Sequence, residues 1–225
     1  MLSVPTMELE QLRTYLNSSD SQNRLKALVE LRNYDSEVAV PLLISRMQDQ
    51  EFIIRSFVAM GLGRKKSPDS YNALLELIKF DKDPNVRAEA ANSLSFYGEP
   101  SIPHLVALFK KDKNWLVRKS ILAAMADLNV PEEFFELCLE GLKDQDMTIQ
   151  ETAVDGLALL AYTLKENAAL TRLLSLVNNP SWRIRARVAR ALSKYNNFEA
   201  QEALIQLKQD DDYRVVGAVL ETLLP

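Results

Sequence analysis

The chain has 225 residues, 47% hydrophobic and 26% charged, a globular composition that can bury a continuous core without disulfides or metals. A net charge of −4 and a pI near 5.3 argue against general nucleic-acid binding, which draws most of its affinity from a basic footprint. One cysteine, Cys138, excludes an internal disulfide and a multi-cysteine metal site, and no run of eighteen apolar residues predicts a membrane span.

The opening "MLSVPTMELEQLRTYL" has neither the basic start nor the apolar centre of a signal peptide, so a cytoplasmic location is expected. From there one pattern returns. Aligned on an arginine position it gives Arg24, Arg55, Arg87, Arg118, Gln150, Arg185 and Val216, at spacings of 31, 32, 31, 32, 35 and 31. A period in this range marks a solenoid of stacked helical hairpins. The hairpins are predicted over 7–34, 37–66, 69–98, 99–130, 131–163, 165–197 and 198–225, forming one all-α domain, 1–225.

In chain order, each hairpin pairs a first helix A with a second helix B. "YNALLELIKF", "IPHLVALFKK" and "LTRLLSLV" read as A helices of the third, fourth and sixth repeats. Four residues before the arginine position stand Asp20, Glu51, Asp83, Asn114, Asp146, Ser181 and Asp212. All but Glu51 are good N-cap residues, whose side-chain oxygens accept from free amides at a helix start. Pro84 after Asp83 suits the first helical position, where a missing N–H costs nothing. Apolar or small residues then follow at −1, +3, +4 and +7, such as Val86, Ala90, Ala91 and Leu94, which gives helix B one buried face. Strand signals are weak.

Six residues before the arginine position lie Ser18, Asp49, Asp81, Asp112, Asp144, Asn179 and Asp210. A column of acids beside a column of arginines predicts a hydrogen-bond ladder holding repeats together. The ladder weakens at Gln150 and ends at Val216. A longer connection after the fifth repeat, around "LLAYTLKENAAL", predicts a local bend.

The periodic D-x-x-V-R signature, as in "DPNVRAEAANSL" and "DKNWLVRKSILAAM", resembles HEAT-like repeats of the phycobilisome (bilin) lyase and phycobilisome-degradation type, from about Glu8 to Leu224. That resemblance implies an α-solenoid of about seven hairpins, a phycobiliprotein partner, phycobilin contact, and a hetero-oligomer with a second HEAT-repeat subunit. Deoxyhypusine hydroxylase, another HEAT-like protein, uses His-Glu pairs to hold a di-iron centre; a chain whose one histidine is His104 cannot supply them. No Gly-rich phosphate loop or nucleophile motif is present, catalytic residues cannot be assigned, and no resident cofactor or metal is expected. Cys138 in "FFELCLEGL" reads as a buried structural thiol.

Specificity must then come from residues that differ between repeats. Positions +2, +5 and +9 of helix B share a face away from the core. The partner-binding candidates there are Phe57, Met60 and Arg64, then Glu89, Asn92 and Phe96, then Asp127 and Asp155. The sixth repeat adds Arg183, Arg187, Arg190 and Lys194, spaced four, three and four apart on one stripe. Like charges at that spacing destabilise a helix, so the stripe suggests an acidic counterpart, either external or on a neighbouring repeat. Phe57, Met60 and Phe96 read equally well as an exposed patch or as extra core. The aromatics at −3, Phe52, Trp115, Trp182 and Tyr213, are expected to pack over the turns between helices. The leading functional expectation is a non-enzymatic protein-binding adaptor acting on phycobiliproteins or phycobilisomes. A bilin lyase or lyase subunit is the alternative, and a scaffold outside photosynthesis the third.

Overall fold

Capping chemistry decides where most B helices begin. In the computed structural model, which describes residues 7–223, the side chains of Asp20, Asp83, Asn114, Asp146 and Asp212 accept from the amides of Gln22, Asn85, Leu116, Thr148 and Arg214 at 2.8–3.0 Å. Two positions depart from this. Glu51 makes no side-chain cap, its longer arm being a poor fit to the turn, and Ser181 makes none either. The Ser181 hydroxyl instead lies 3.9 Å from the Met147 sulfur.

The regular structure among the described residues is entirely helical, with fourteen α-helices and two short 3₁₀ turns. The hairpins pair α1 (Leu9–Leu16) with α2 (Ser21–Glu30), α3 (Ser36–Ile44) with α4 (Phe52–Arg64), and α5 (Pro68–Phe80) with α6 (Pro84–Ser95). They continue with α7 (Ile102–Lys111) and α8 (Trp115–Ala126), α9 (Pro131–Gly141) and α10 (Met147–Ala158), α11 (Glu166–Leu174) and α12 (Trp182–Leu192), and α13 (Phe198–Leu207) and α14 (Tyr213–Glu221). Within each of the two units described below, successive B helices stack on one another (α2, α4 and α6; α10, α12 and α14), as do successive A helices (α3, α5 and α7; α11 and α13), so each unit is an α-solenoid of two layers.

The chain divides into two compact units, 1–124 and 125–225. In the first, α4 packs on α2, α5 and α6, and α5 on α7. Helices α4 and α6 approach closely where Ala59, Ala90 and Ala91 are fully buried and Gly63 lies against Ser93. A Cβ on Gly63 would sit 2.6 Å from the Ser93 Cβ, so the backbones meet at a distance that only glycine permits. In the second unit, α12 packs on α10, α13 and α14. There Gly156 serves the same purpose, since a Cβ would lie 2.6 Å from the Cys138 sulfur.

The columns at +4 and +7 are buried in both units, for example Ala91 and Leu94, and Ala189 and Leu192. Each large member, such as Leu94, removes enough apolar surface from water to contribute about 1.5–3 kcal/mol. At the seventh repeat the equivalent residues open, with Leu220 at 45% and Leu223 at 65% exposure. The connection after α10 contains Tyr162 at φ 65°, an unusual backbone for a bulky residue, and Tyr162 and Leu164 are exposed. No helix of the described residues is long and apolar enough to cross a membrane.

Candidate protein-binding surface

The ladder comes first because it removes its members from the list of functional residues. In the first unit Arg55 donates from Nε and Nη2 to the two carboxylate oxygens of Asp81 at 2.6 and 3.0 Å, one repeat ahead. Its Nη1 donates back to the carbonyls of Asp49 and Gln50. Arg24 pairs with Asp49 in the same way: Nη2 donates at 2.9 Å, and Nε sits 2.8 Å from the second oxygen as an ion pair without a hydrogen bond's alignment. Arg87 reaches Asp112, and in the second unit Arg185 reaches Asp210. Each acid also accepts from the amide two residues on, which shapes the turn. Arg185 lowers the carboxyl pKa of Asp210 through this hydrogen bond. Gln150 keeps the backward bond, to the Asp144 carbonyl at 2.7 Å, but no carboxylate stands opposite it, because its counterpart one repeat ahead is Asn179. These residues tie repeats together.

On the B-helix face of the first unit, α2 and α4 leave a groove of about 460 Å³. Leu28, Val29, Phe57 and Met60 line it together with the core residues Leu31 and Leu43, and the exposed Arg32 and Arg64 also border it. The register follows from the repeat: Val29 and Met60 share position +5, and Phe57 sits at +2, one turn before Met60. Phe57 and Met60 are half-buried, which combines the two readings the sequence left open. Lys65 is not available, since its ammonium donates to the carbonyls of Arg32 and Tyr34 and thereby fastens the turn after α2. Arg32 and Arg64 make no ion pair within 4 Å among the described residues. Glu89 on α6 faces Arg64 at longer range; its carboxyl pKa is raised by burial, with its hydrogen bond from Ser93 and the charge of Arg64 opposing the shift. Asn92 is half-buried beside it. Phe96 is 47% exposed at the end of α6 and lies outside the groove lining.

The second unit uses the same positions differently. Arg187 donates to Asp155 and, at 3.3 Å, to Glu151. Arg190 donates to Glu221 from Nε and Nη2 at 3.1 and 2.8 Å. Arg183 lies 3.9 Å from Glu151 and over the Trp182 ring. Burial raises the Asp155 carboxyl pKa, and Arg187 opposes that shift. The structure thus gathers Arg183, Arg187 and Arg190 on one face of α12 and supplies their acids from α10 and α14, which leaves Lys194 exposed at the end of the stripe. The sequence signal for this was available: Glu151, Asp155 and Glu221 occupy +1, +5 and +5 of the neighbouring repeats. Asp127, just past α8, is exposed.

The aromatic column is more open than expected. Phe52 and Trp115 are 42% and 45% exposed, and Tyr213 is 80% exposed, so most of the Tyr213 side chain faces solvent. Trp182 is covered, by the Arg214 guanidinium 3.6 Å from its ring. Cys138 is fully buried and its thiol pKa is pushed up to about 12 by desolvation, which removes its nucleophilic form at neutral pH. Among the described residues no group of three or more His, Cys, Asp or Glu side chains is placed to hold a metal ion.

Comparison with known proteins places this geometry. The chain resembles the E. coli protein YibA in fold, with a TM-score of 0.66 and 20% identity over 98% of this chain and 85% of that one. It also resembles the complex of CpcE and CpcF of phycocyanin lyase from a Nostoc species, with a TM-score of 0.56 and 20% identity, covering 97% of this chain and 96% of that one. In sequence it is similar to deoxyhypusine hydroxylase-B of Oryza sativa subsp. japonica, 31% identical over 125 residues, which are 54% of this chain and 41% of that protein. A deoxyhypusine hydroxylase of Drosophila pseudoobscura is 25% identical over 108 residues, 47% of this chain and 36% of that one, so the matches span well under half the length of these relatives. The sequence profile of HEAT repeats matches residues 42–126 and 135–224, most of the chain, and the protein belongs to the HEAT-repeat family.

Proposed function

We propose that this protein is a protein-binding HEAT-repeat module whose partner docks on the B-helix face of the first unit, and that the partner is a phycobiliprotein or another phycobilisome component. The groove between α2 and α4 carries the proposal: it offers Phe57 and Met60 to an apolar anchor and, to flanking carboxylates, two arginines that form no ion pair among the described residues. An apolar pocket rimmed by unpaired charge is how protein interfaces combine affinity with register. The D-x-x-V-R repeats and the fold shared with the phycocyanin lyase complex support the choice of partner.

The test is to mix the protein with holo- and apo-phycobiliprotein and with free phycocyanobilin, following association by size-exclusion chromatography and absorbance together. Co-elution with both protein forms and an unchanged spectrum is the expected result. A bilin-dependent spectral change would replace the adaptor with a lyase subunit. No association with any component would move the partner outside the phycobilisome.

A further inference from the structure

A second groove, about 650 Å³, lies on the A-helix layer of the first unit between α5 and α7, away from every residue invoked above for partner binding. Leu75 and Ile78 from α5, three apart on one helix face, and Ala107 and Leu108 from α7 form its apolar floor. Lys79, Lys111 and Lys113 stand around it. The favourable placement of cations near helix C-termini accounts for Lys79 and Lys111, but not for the apolar floor between them.

The charge in this groove is unbalanced. Its two carboxylates, Asp81 and Asp112, are already engaged by Arg55 and Arg87 and by the amides of Asp83 and Asn114. Arg87 lines the groove and is less enclosed than the two ladder arginines before it: its side chain is 17% exposed, as is that of Arg185, against 5% for Arg24 and 6% for Arg55. Its Nη1 donates to one carbonyl, that of Asp81, whereas Nη1 of Arg24, Arg55 and Arg185 each donates to two. An apolar trough with a partly exposed guanidinium at its base and three lysines at its edge, on a chain whose net charge is −4, selects an anionic apolar occupant.

We propose that this groove binds an acidic, aliphatic helical segment of a protein partner. Its leucine-like side chains lie between α5 and α7, its carboxylates meet Lys79, Lys111 and Lys113, and one of them reaches Arg87. A helix set into a groove between two helices reads its target through anchors at i, i+3, i+4 and i+7, and the open trough admits such a rod from solvent.

Fluorescence anisotropy on the full chain tests this with three probes: a designed helical peptide with leucines at those positions and glutamates beside them, its glutamate-to-lysine counterpart, and laurate as a competitor. The glutamate peptide is expected to bind, to weaken as salt rises, and to exceed the lysine peptide by at least about tenfold, which is about 1.4 kcal/mol. Ala107→Trp, which fills the trough from an exposed position, and Lys111→Glu with Lys113→Glu should each reduce binding by at least about tenfold at unchanged Tm, while Phe57→Ala with Arg64→Glu leaves it intact. Equal binding of the two peptides, no binding at about 1 mM, or undiminished binding by a folded Ala107→Trp variant overturns the proposal. So does binding of laurate without the glutamate peptide, which would assign the groove to a small anionic amphiphile. The phycobiliprotein test reads a different face, so the two can fail separately.

Discussion

The B-helix faces of the two units carry the same kinds of residue and resolve them in opposite ways. In the first unit Arg64 and Arg32 border an apolar groove, and no acid among the described residues lies within ion-pair distance of either. In the second, Arg183, Arg187 and Arg190 look more conspicuous in the sequence, yet each already faces Glu151, Asp155 or Glu221. A basic residue on a solenoid face signals a partner only after the neighbouring repeats have been searched for its counter-charge. By that measure the quieter unit offers the better candidate for a docking surface.

The sharpest way to break the comparison is at the ladder, which both units share. Arg55→Ala leaves Asp81 buried without its cation and should cost about 3–5 kcal/mol in urea unfolding. In the second unit, Gln150→Arg alone should gain nothing because Asn179 offers no charge. Combined with Asn179→Asp it should build the missing rung and exceed the sum of the single effects.

Packing comes next. Gly63→Ala forces a Cβ against Ser93 and should cost about 1–3 kcal/mol, read as a lowered urea midpoint. Smaller still is the binding effect: Phe57→Ala with Arg64→Glu should weaken the partner about tenfold, or about 1.4 kcal/mol, with little change in Tm. Arg190→Glu should do the reverse, leaving affinity unchanged and removing the exposed pair with Glu221, at a cost of about 0.2–1 kcal/mol. If Arg190→Glu abolishes association while stability holds, the assignment of the two faces is inverted.

The smallest effect is in the pH dependence, and its sign differs between the ladder carboxylate Asp210 and the buried Glu89. Asp210 has a folded pKa below its unfolded value. Its contribution is therefore present above the unfolded carboxylate range near 3.9 and disappears as pH falls through the folded value. Glu89 has a folded pKa raised by burial, so its carboxylate opposes folding at neutral pH, and the opposition is relieved as pH falls through that raised value. Glu89→Gln should accordingly raise Tm at pH 7 and have no such effect near pH 3.

Much of the architecture was legible because it depends on local spacing. A cap four residues before the arginine, a small-apolar face at +3, +4 and +7, and an acid six residues back are all set within one hairpin, and repetition multiplies a weak signal seven times. The partial exposure of Phe57 and Met60 was not legible, because it depends on how far α2 and α4 are held apart. The openness of Tyr213 was missed for a similar reason: hydrophobicity predicts that a ring is better covered, not that a neighbour is close enough to cover it. The Arg87 side of the trough lay hidden in a column of seemingly equivalent arginines.

By itself the sequence determined that this chain is a helical-repeat protein, where its helices start, which residues join one repeat to the next, and that Cys138 belongs to the core. Those follow from periodicity and from the chemistry of single turns. Only the tertiary structure decided which cations remain without acids and where grooves open, because ion pairing and cavity shape depend on distances between repeats that no single repeat encodes.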